Sequence, residues 1–358
     1  MKLDTLRTNT SVVSSVLNLD NQLVWHWYRE HLSGFRESES NGEHYRHDFQ
    51  QSECSEVVRV PILEPDNFGD KMAIDEKQIG EEMHTIISNH KTGKIAVMVK
   101  SMNFKELKEV LAPHSEVCNK VKVLTRDLSP LYAKVGEEIF VKSSPVADKF
   151  HIIRSLTESC QDVRVRFRQD ILREKRLKYQ EWKKKEKARR EECQSNAKEY
   201  VTRKFNYQEE TLPHGETALE TLARSRYLLF KYPSEWTASQ KNRSQALFER
   251  FPEIEKVYHR CCEFRNWMKK ENVGKDISEI KKQLQTWMQK VEQDDIDEML
   301  NFKSLVERHL TPILNYFIFG ATNAIAENIN SQIQRFIMIN QGTRDREFFY
   351  FRLKKYFT

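Results

Sequence analysis

The stretch KMAIDEKQIGEEMHTIISNHKTGKIAVMVK, residues 71–100, decides the fold. Its opening is a short apolar run ending in Asp75, and from Met83 onward apolar and polar residues alternate on either side of a turn at Gly93. A period of two turns successive side chains to opposite faces, so 83–100 reads as two strands of a hairpin preceded by a strand at 71–75. Outward from there, NFKELKEVLAPH (103–114) is an amphipathic helix stopped near Pro113. NKVKVLTRDLSPLYAKVGEEIF (119–140) supplies a strand ending at Asp127 and a helix opened by Ser129 and Pro130. SPVADKFHII (144–153) reads as a fifth short strand. Strand, hairpin, helix, strand, helix, strand is the order of a mixed five-stranded α/β layer with an antiparallel edge.

Beyond residue 157 the strand signals vanish. RVRFRQDILREKRLKYQEWKKKEKARREE (164–192) is a long charged helix, and the segments up to residue 311 are apolar at three- and four-residue spacing. This predicts four parts: a small helical N-terminal region and linker (1–66), a sheet-bearing core (67–157), an all-helical insertion (158–311), and a closing helix and tail (312–358). In the first part, NLDNQLVWHWYREHL (18–32) reads as a helix capped by Asp20 or Asn21, with packing favoured over a DNA-reading helix-turn-helix.

Composition sets the outer bounds. With 39% hydrophobic and 31% charged residues, the 358-residue chain fits a helix-rich globular protein. No apolar run is long enough for a membrane span and the N-terminus lacks a secretory h-region, which predicts an intracellular, cytoplasmic protein. The six cysteines are scattered and suit reduced thiols, not a zinc site. Net charge is only +6, yet residues 164–190 carry 13 Lys/Arg against four Asp/Glu, which points to a polyanionic partner. A solvated Lys/Glu-rich helix is the plainer alternative.

Chemistry enters at the strand ends. This layout places its first and fourth strands side by side, making neighbours of Asp75 and Asp127 although 52 positions separate them. Adjacent carboxylates repel, raising a pKa or demanding a cation, and hard divalent ions with oxygen ligands meet that demand. A third carboxylate from a helix across the sheet completes a two-metal site suited to in-line displacement at phosphorus. Glu327 is the candidate: in TNAIAENINSQIQRF, Asn323, Glu327, Asn330 and Gln334 form one polar stripe, with Ile325, Ile329, Ile333 and Phe336 on the apolar side. Each acid alone also has a structural reading, Asp75 as a turn residue, Asp127 as a helix cap, Glu327 as solvated helix surface.

Together, AIDEK (73–77), VLTRDLSPLYAKVGEEIF (123–140), VADKFHIIRSLTESCQDVR (146–164), LARSRYLLFK (222–231) and TNAIAENINSQIQRFIMINQGTRDREFFYFRL (322–353) resemble the DDE transposases of the ISL3 insertion-sequence family. The resemblance runs from about residue 68 to the C-terminus and implies a ribonuclease-H-like catalytic domain interrupted by a helical insertion. It implies Asp75, Asp127 and Glu327 as the catalytic, metal-binding triad for two Mg²⁺ or Mn²⁺ ions, with no zinc. A rival assignment puts Asp148 in place of Asp127. Asp148 and His151 fall on an Asp-x-x-His signature and, with Asn323 and Asn330, are implied to organise the ligands or the substrate. The implied partner is DNA, both terminal inverted repeats and target, bound by a homo-oligomer at the nucleoid. Lys183, Lys184, Lys185, Arg189, Arg190, Arg224, Arg226, Arg335 and Arg344 are the expected DNA contacts, with Trp182 and Trp236 either stacking on a base or packing in a core. The zinc-binding segment usual at the front of the family is missing, which suggests a separate N-terminal-region protein as partner. A nuclease of the same fold that cuts without joining, or an inactive DNA-binding remnant, are the alternatives.

Overall fold

A computed structural model describes residues 9–41, 46–47, 58–196, 198–321, 324–340 and 345–358. Helices α1 (Thr10–Leu17), α2 (Asn21–Trp27) and α3 (Phe35–Ser40) open the chain, α2 being capped by Asp20 and extended by a π-helical turn, Tyr28–Leu32. Short strands β1 (Arg46–His47) and β2 (Val58–Arg59) pair with each other. The central sheet follows: β3 (Ile62–Leu63), β4 (Lys71–Ile79), β5 (Glu82–Asn89), β6 (Ile95–Val99), then helices α4 (Phe104–Leu111) and α5 (Ser115–Cys118), β7 (Val123–Arg126), α6 (Pro130–Glu138) and β8 (Ser144–Ala147).

Its spatial order is β3-β6-β5-β4-β7-β8, antiparallel up to β4 and parallel from β4 to β8. The mixed sheet flanked by helices is the architecture expected, with three corrections. The strand read over 144–153 ends at Ala147, Lys149 already opening a helix as the chain leaves the sheet. The sheet has six strands, not five, because Ile62 and Leu63, inside the segment read as a linker, pair with Met98 and Val97. The first core strand does not stop at Asp75 but runs to Ile79, because β5 pairs with it residue for residue out to Glu82.

Alternation along the strands divides apolar residues between two cores. On one face Met72, Ile74, Val97 and Leu124 pack against Leu107 and Val110 of α4 and Tyr132 and Val135 of α6. On the other, Ile79, Ile86 and Met98 meet Ile329, Ile333 and Phe336.

After β8 the chain enters α7 (Lys149–Ser195), then α8 (Ala218–Arg224), α9 (Ala238–Arg250), α10 (Pro252–Trp267), α11 (Ile277–Asp294), α12 (Asp297–Arg308), α13 (Leu310–Phe319), α14 (Ala324–Ile339) and α15 (Arg346–Phe357). Two compact units result. One comprises residues 1–151, 273–277 and 309–358 and contains the sheet with α13, α14 and α15; the other comprises 152–272 and 278–308 and is all helical. In the first, α13 lies along β8, where Asn315 Nδ2 donates to the Pro145 carbonyl (2.8 Å). The second has its own core, centred on Phe264, whose ring lies 4.9–5.2 Å from those of Trp267, Trp287 and Phe302. Arg164 is buried there and donates to the Leu222 carbonyl (2.7 Å), while Arg166 bridges Glu253 and Glu298. Cys118, Cys160, Cys193, Cys261 and Cys262 are free thiols. Among the described residues no helix is long and apolar enough to cross a membrane.

Candidate active site at the carboxyl edge of the sheet

Strand register brings the acids together. In the parallel pairs, Ala73 faces Thr125 and Arg126 faces Ala147. Carrying that register forward sets Asp75 level with Asp127, and Asp127 level with Asp148, one row across the edge where β7 and β8 end. Carboxyl ends of parallel strands are where open α/β sheets present their chemistry, because backbone pairing stops and side chains are freed for other partners.

Each carboxylate in the row is held differently. Asp75 is half-buried within β4; its Oδ1 accepts from the Glu76 amide (2.9 Å) and its Oδ2 from Asn330 Nδ2 (2.7 Å). Burial raises its pKa, and the charge of Asp127 pushes in the same direction, while its hydrogen bonds and His151 pull the other way. Asp127 Oδ1 accepts from the Ser129 amide (2.9 Å), and Ser129 in turn caps α6 through the Tyr132 amide. The plainer reading of Asp127 as the cap of this helix is corrected: Ser129 is the cap, and Asp127 sits in the turn before it, near the carboxylate of Asp75. Asp148 is the buried member, 2% exposed. Its Oδ1 accepts from the Phe150 amide (3.2 Å) at the start of α7, and its Oδ2 lies 3.6 Å from His151 Nε2. Burial, with the charges of Glu327 and Asp75, raises its pKa to about 6.

Across the sheet, α14 packs on β4 and turns its polar stripe to this edge. Asn330 makes the contact to Asp75, and Glu327, one turn earlier on the same side, is exposed and within electrostatic reach of Asp148. Ile329, Ile333 and Phe336 occupy the apolar side. Two further groups were not singled out in the sequence. The carboxyl of Glu76 is raised by partial burial and by Asp127 and Asp75. Tyr132, fully buried, has its phenol pushed well above the usual range by burial and by Glu76, Asp127 and Asp75. The signal for Glu76 was its place beside Asp75; Tyr132 carried none.

Asp75, Asp127, Asp148 and Glu327 thus share one edge, where the charge of Asp127 raises the pKa of Asp75 and the charges of Glu327 and Asp75 raise that of Asp148, the electrostatic condition a hard cation relieves. Their oxygens fit a divalent ion in donor chemistry. Among the described residues, however, no three His, Cys, Asp or Glu side chains close into a metal-ligand set.

The expected DNA contacts divide by how their charges are already engaged. Lys183, Lys184 and Lys185 are exposed on α7, and Arg190 is exposed with its guanidinium 5.9 Å from the Tyr200 ring. Arg226 is exposed beside Tyr227, and Arg335 is exposed on α14. Arg189 is instead held by Glu186 and the Val201 carbonyl, and Arg224 by Glu216 and Glu220. Trp182 stacks on Tyr179 (5.6 Å, 26°), whereas Trp236 packs on Tyr258 and donates its Nε1 to the Leu228 carbonyl. Asn323 and Arg344 lie outside the described residues.

In comparisons with known proteins, the model of the ISL3-type DDE family, described as a transposase, matches residues 72–353. No curated protein matches the chain.

Proposed function

Since the chain belongs to the ISL3-type DDE transposase family, we propose that it cleaves DNA at transposon ends and joins the freed 3′ hydroxyl to target DNA, with Asp75, Asp127 and Glu327 as the metal-binding acids. The observation that carries this reading is the bond from Asn330 to Asp75, which ties the helix bearing Glu327 to the strand bearing the first acid of the row. Mg²⁺ or Mn²⁺, two ions on the family pattern, would supply neutralisation of phosphoryl charge and activation of the attacking oxygen.

The chain's own residues do the rest. Asn330 and the Glu76 amide fix the orientation of Asp75, and the Ser129 amide fixes that of Asp127. Asp148 keeps His151 beside the row and positions it from the first turn of α7, a supporting role distinct from ligation. Asp148 in place of Asp127 as ligand is the rival within this reading. The exposed cations, Lys183, Lys184, Lys185, Arg190, Arg226 and Arg335, bind phosphates, and Trp182 offers a stacking face. Assembly as a homo-oligomer on DNA, a separate N-terminal-region protein, a cytoplasmic setting at the nucleoid, and the bounds 67–157, 158–311 and 312–358 for the functional parts belong to the same proposal.

The test is cleavage and joining on end-containing duplexes with Mg²⁺. Asp75→Asn, Asp127→Asn and Glu327→Gln should each lower cleavage by several orders of magnitude while DNA affinity changes little, because a ligand is lost without altering the basic surface. A variant that still cleaves rejects its own residue. Cleavage without joining of pre-cut ends indicates a nuclease, and Mg²⁺-independent binding without cleavage indicates an inactive remnant.

A further inference from the structure

Between α7 and α8, residues 198–217 form neither helix nor strand, yet their course is fixed. They run back along the far half of α7 as a strap, each anchor falling nearer the start of that helix than the one before. The Tyr200 hydroxyl donates to Glu186 (2.9 Å), as does the Arg203 amide (3.1 Å). Phe205 packs against Tyr179 and Trp182, with ring centroids 5.2 and 5.7 Å away. Tyr207 takes the ammonium groups of Lys175 and Lys178 on its ring (5.3 and 5.4 Å), and Glu209 pairs with Lys175. A connection of this length without structure of its own is uncommon inside a compact unit and is characteristically functional.

The anchors use alternate residues. Phe205, Tyr207 and Glu209 turn to the helix and are partly buried, while Lys204, Asn206 and Gln208 are exposed, the period-two geometry of an extended chain. No hydrogen bond engages the side-chain amide of Asn206 or Gln208 among the described residues. Solvated loop side chains ordinarily move with their loop; these are held in register by the anchors between them. Beneath the strap, α7 has two unlike flanks. Arg176, Lys183 and Arg190 each follow by one residue a position that the strap touches, Lys175, Trp182 and Arg189. At about 100° per residue, all three therefore lie on the same side of it. They recur every seven residues, about 10.5 Å apart, and are exposed. The positions one residue before Lys175 and Trp182 are Glu174 and Glu181, so the opposite flank is acidic there.

A polyanion is thus drawn to one side of the strap, with the outward row of Lys204, Asn206 and Gln208 at its edge. Asn and Gln make paired hydrogen bonds to the N6 and N7 edge of adenine in the major groove, and a groove that admits a two-stranded ribbon admits a single extended chain. Alternate residues of an extended chain stand about 6.7 Å apart, the length of two base steps at ~3.4 Å each. We propose that the strap reads base edges of the transposon-end duplex, Asn206 and Gln208 selecting adenines two base pairs apart while Arg176, Lys183 and Arg190 hold one phosphate backbone. The inference rests on the transposition reading and adds to it the element that recognises sequence.

Selection from randomised duplexes by the full chain, without divalent cation so that no strand is cut, tests it. The expected result is enrichment of adenine at a pair of positions two base pairs apart. Asn206→Ala should relax one of these and Gln208→Ala the other, each lowering discrimination by about tenfold or more, with affinity for unselected DNA unchanged. Arg176→Gln should instead weaken binding to all sequences alike and reduce the salt slope by about 1. Salt-dependent binding without any base preference, a preference that survives both substitutions, or one that either substitution abolishes at every position overturns the inference and leaves the transposition reading standing. A chain that binds no DNA overturns both.

Discussion

At the scale of single residues, the proposed active edge depends on how each carboxylate is restrained. Asn330 is the only side chain shown donating to Asp75 among the described contacts, so Asn330→Ala releases one oxygen of a partly buried acid. Loss of an orienting partner of a metal-binding group characteristically costs about 10–100-fold. Cleavage rate should fall by that order while DNA affinity holds, and unchanged cleavage would remove Asn330 from the site. Asp148 makes a different prediction. Its pKa is raised from 3.8 to about 6, so the folded chain retains a proton that the unfolded chain releases. Stability is therefore lost as pH climbs from about 4 to about 6 and levels off above, by up to about 3 kcal/mol at ~1.4 kcal/mol per pKa step. Asp148→Asn should remove this fall in cation-free protein, as read from denaturant unfolding across that pH range; identical profiles in both proteins would count against a buried, proton-retaining Asp148.

At the scale of elements, α7 joins two roles. Its first turn is set by Asp148, which accepts from the Phe150 amide, and its later turns carry the charge excess seen in residues 164–190. That excess is not all available. Arg166 and Arg189 are spent on Glu253, Glu298 and Glu186, while Lys183, Lys184 and Lys185 are exposed. Changing the three lysines to Gln should weaken DNA binding evenly across sequences and reduce the slope of log affinity against log salt by about 1 per lysine. Arg224→Gln should leave that slope nearly intact, because Arg224 is paired to Glu216 and Glu220. A slope unaffected by the lysine changes would take this part of α7 out of DNA binding.

At the scale of the whole molecule, the two units have separate cores, and the sheet-bearing one is assembled from three stretches of chain. Separate cores unfold as separate cooperative steps when their coupling is weak. Phe264→Ala, in the helical unit, removes a fully buried ring and should cost about 3–5 kcal/mol. Calorimetry should show one transition lowered and the other in place; a uniform shift of a single transition would mean one cooperative system.

Local pattern determined much of this protein before any tertiary contact was known. Alternation in 83–100 and three- to four-residue spacing after 157 follow from the geometry of strand and helix themselves, as does the polar stripe holding Glu327 and Asn330. These periodicities are properties of near neighbours and can be read without knowing what lies opposite. Pairing decided the remainder. The row of Asp75, Asp127 and Asp148 exists because β4, β7 and β8 align in one parallel register, and neither the continuation of β4 to Ile79 nor the two-residue β3 has a pattern long enough to announce it. Which arginines are free likewise depends on acids distant in sequence, such as Glu216 for Arg243. Long-range neighbours are fixed by packing and hydrogen-bond register across the folded chain, and a one-residue window carries no record of them.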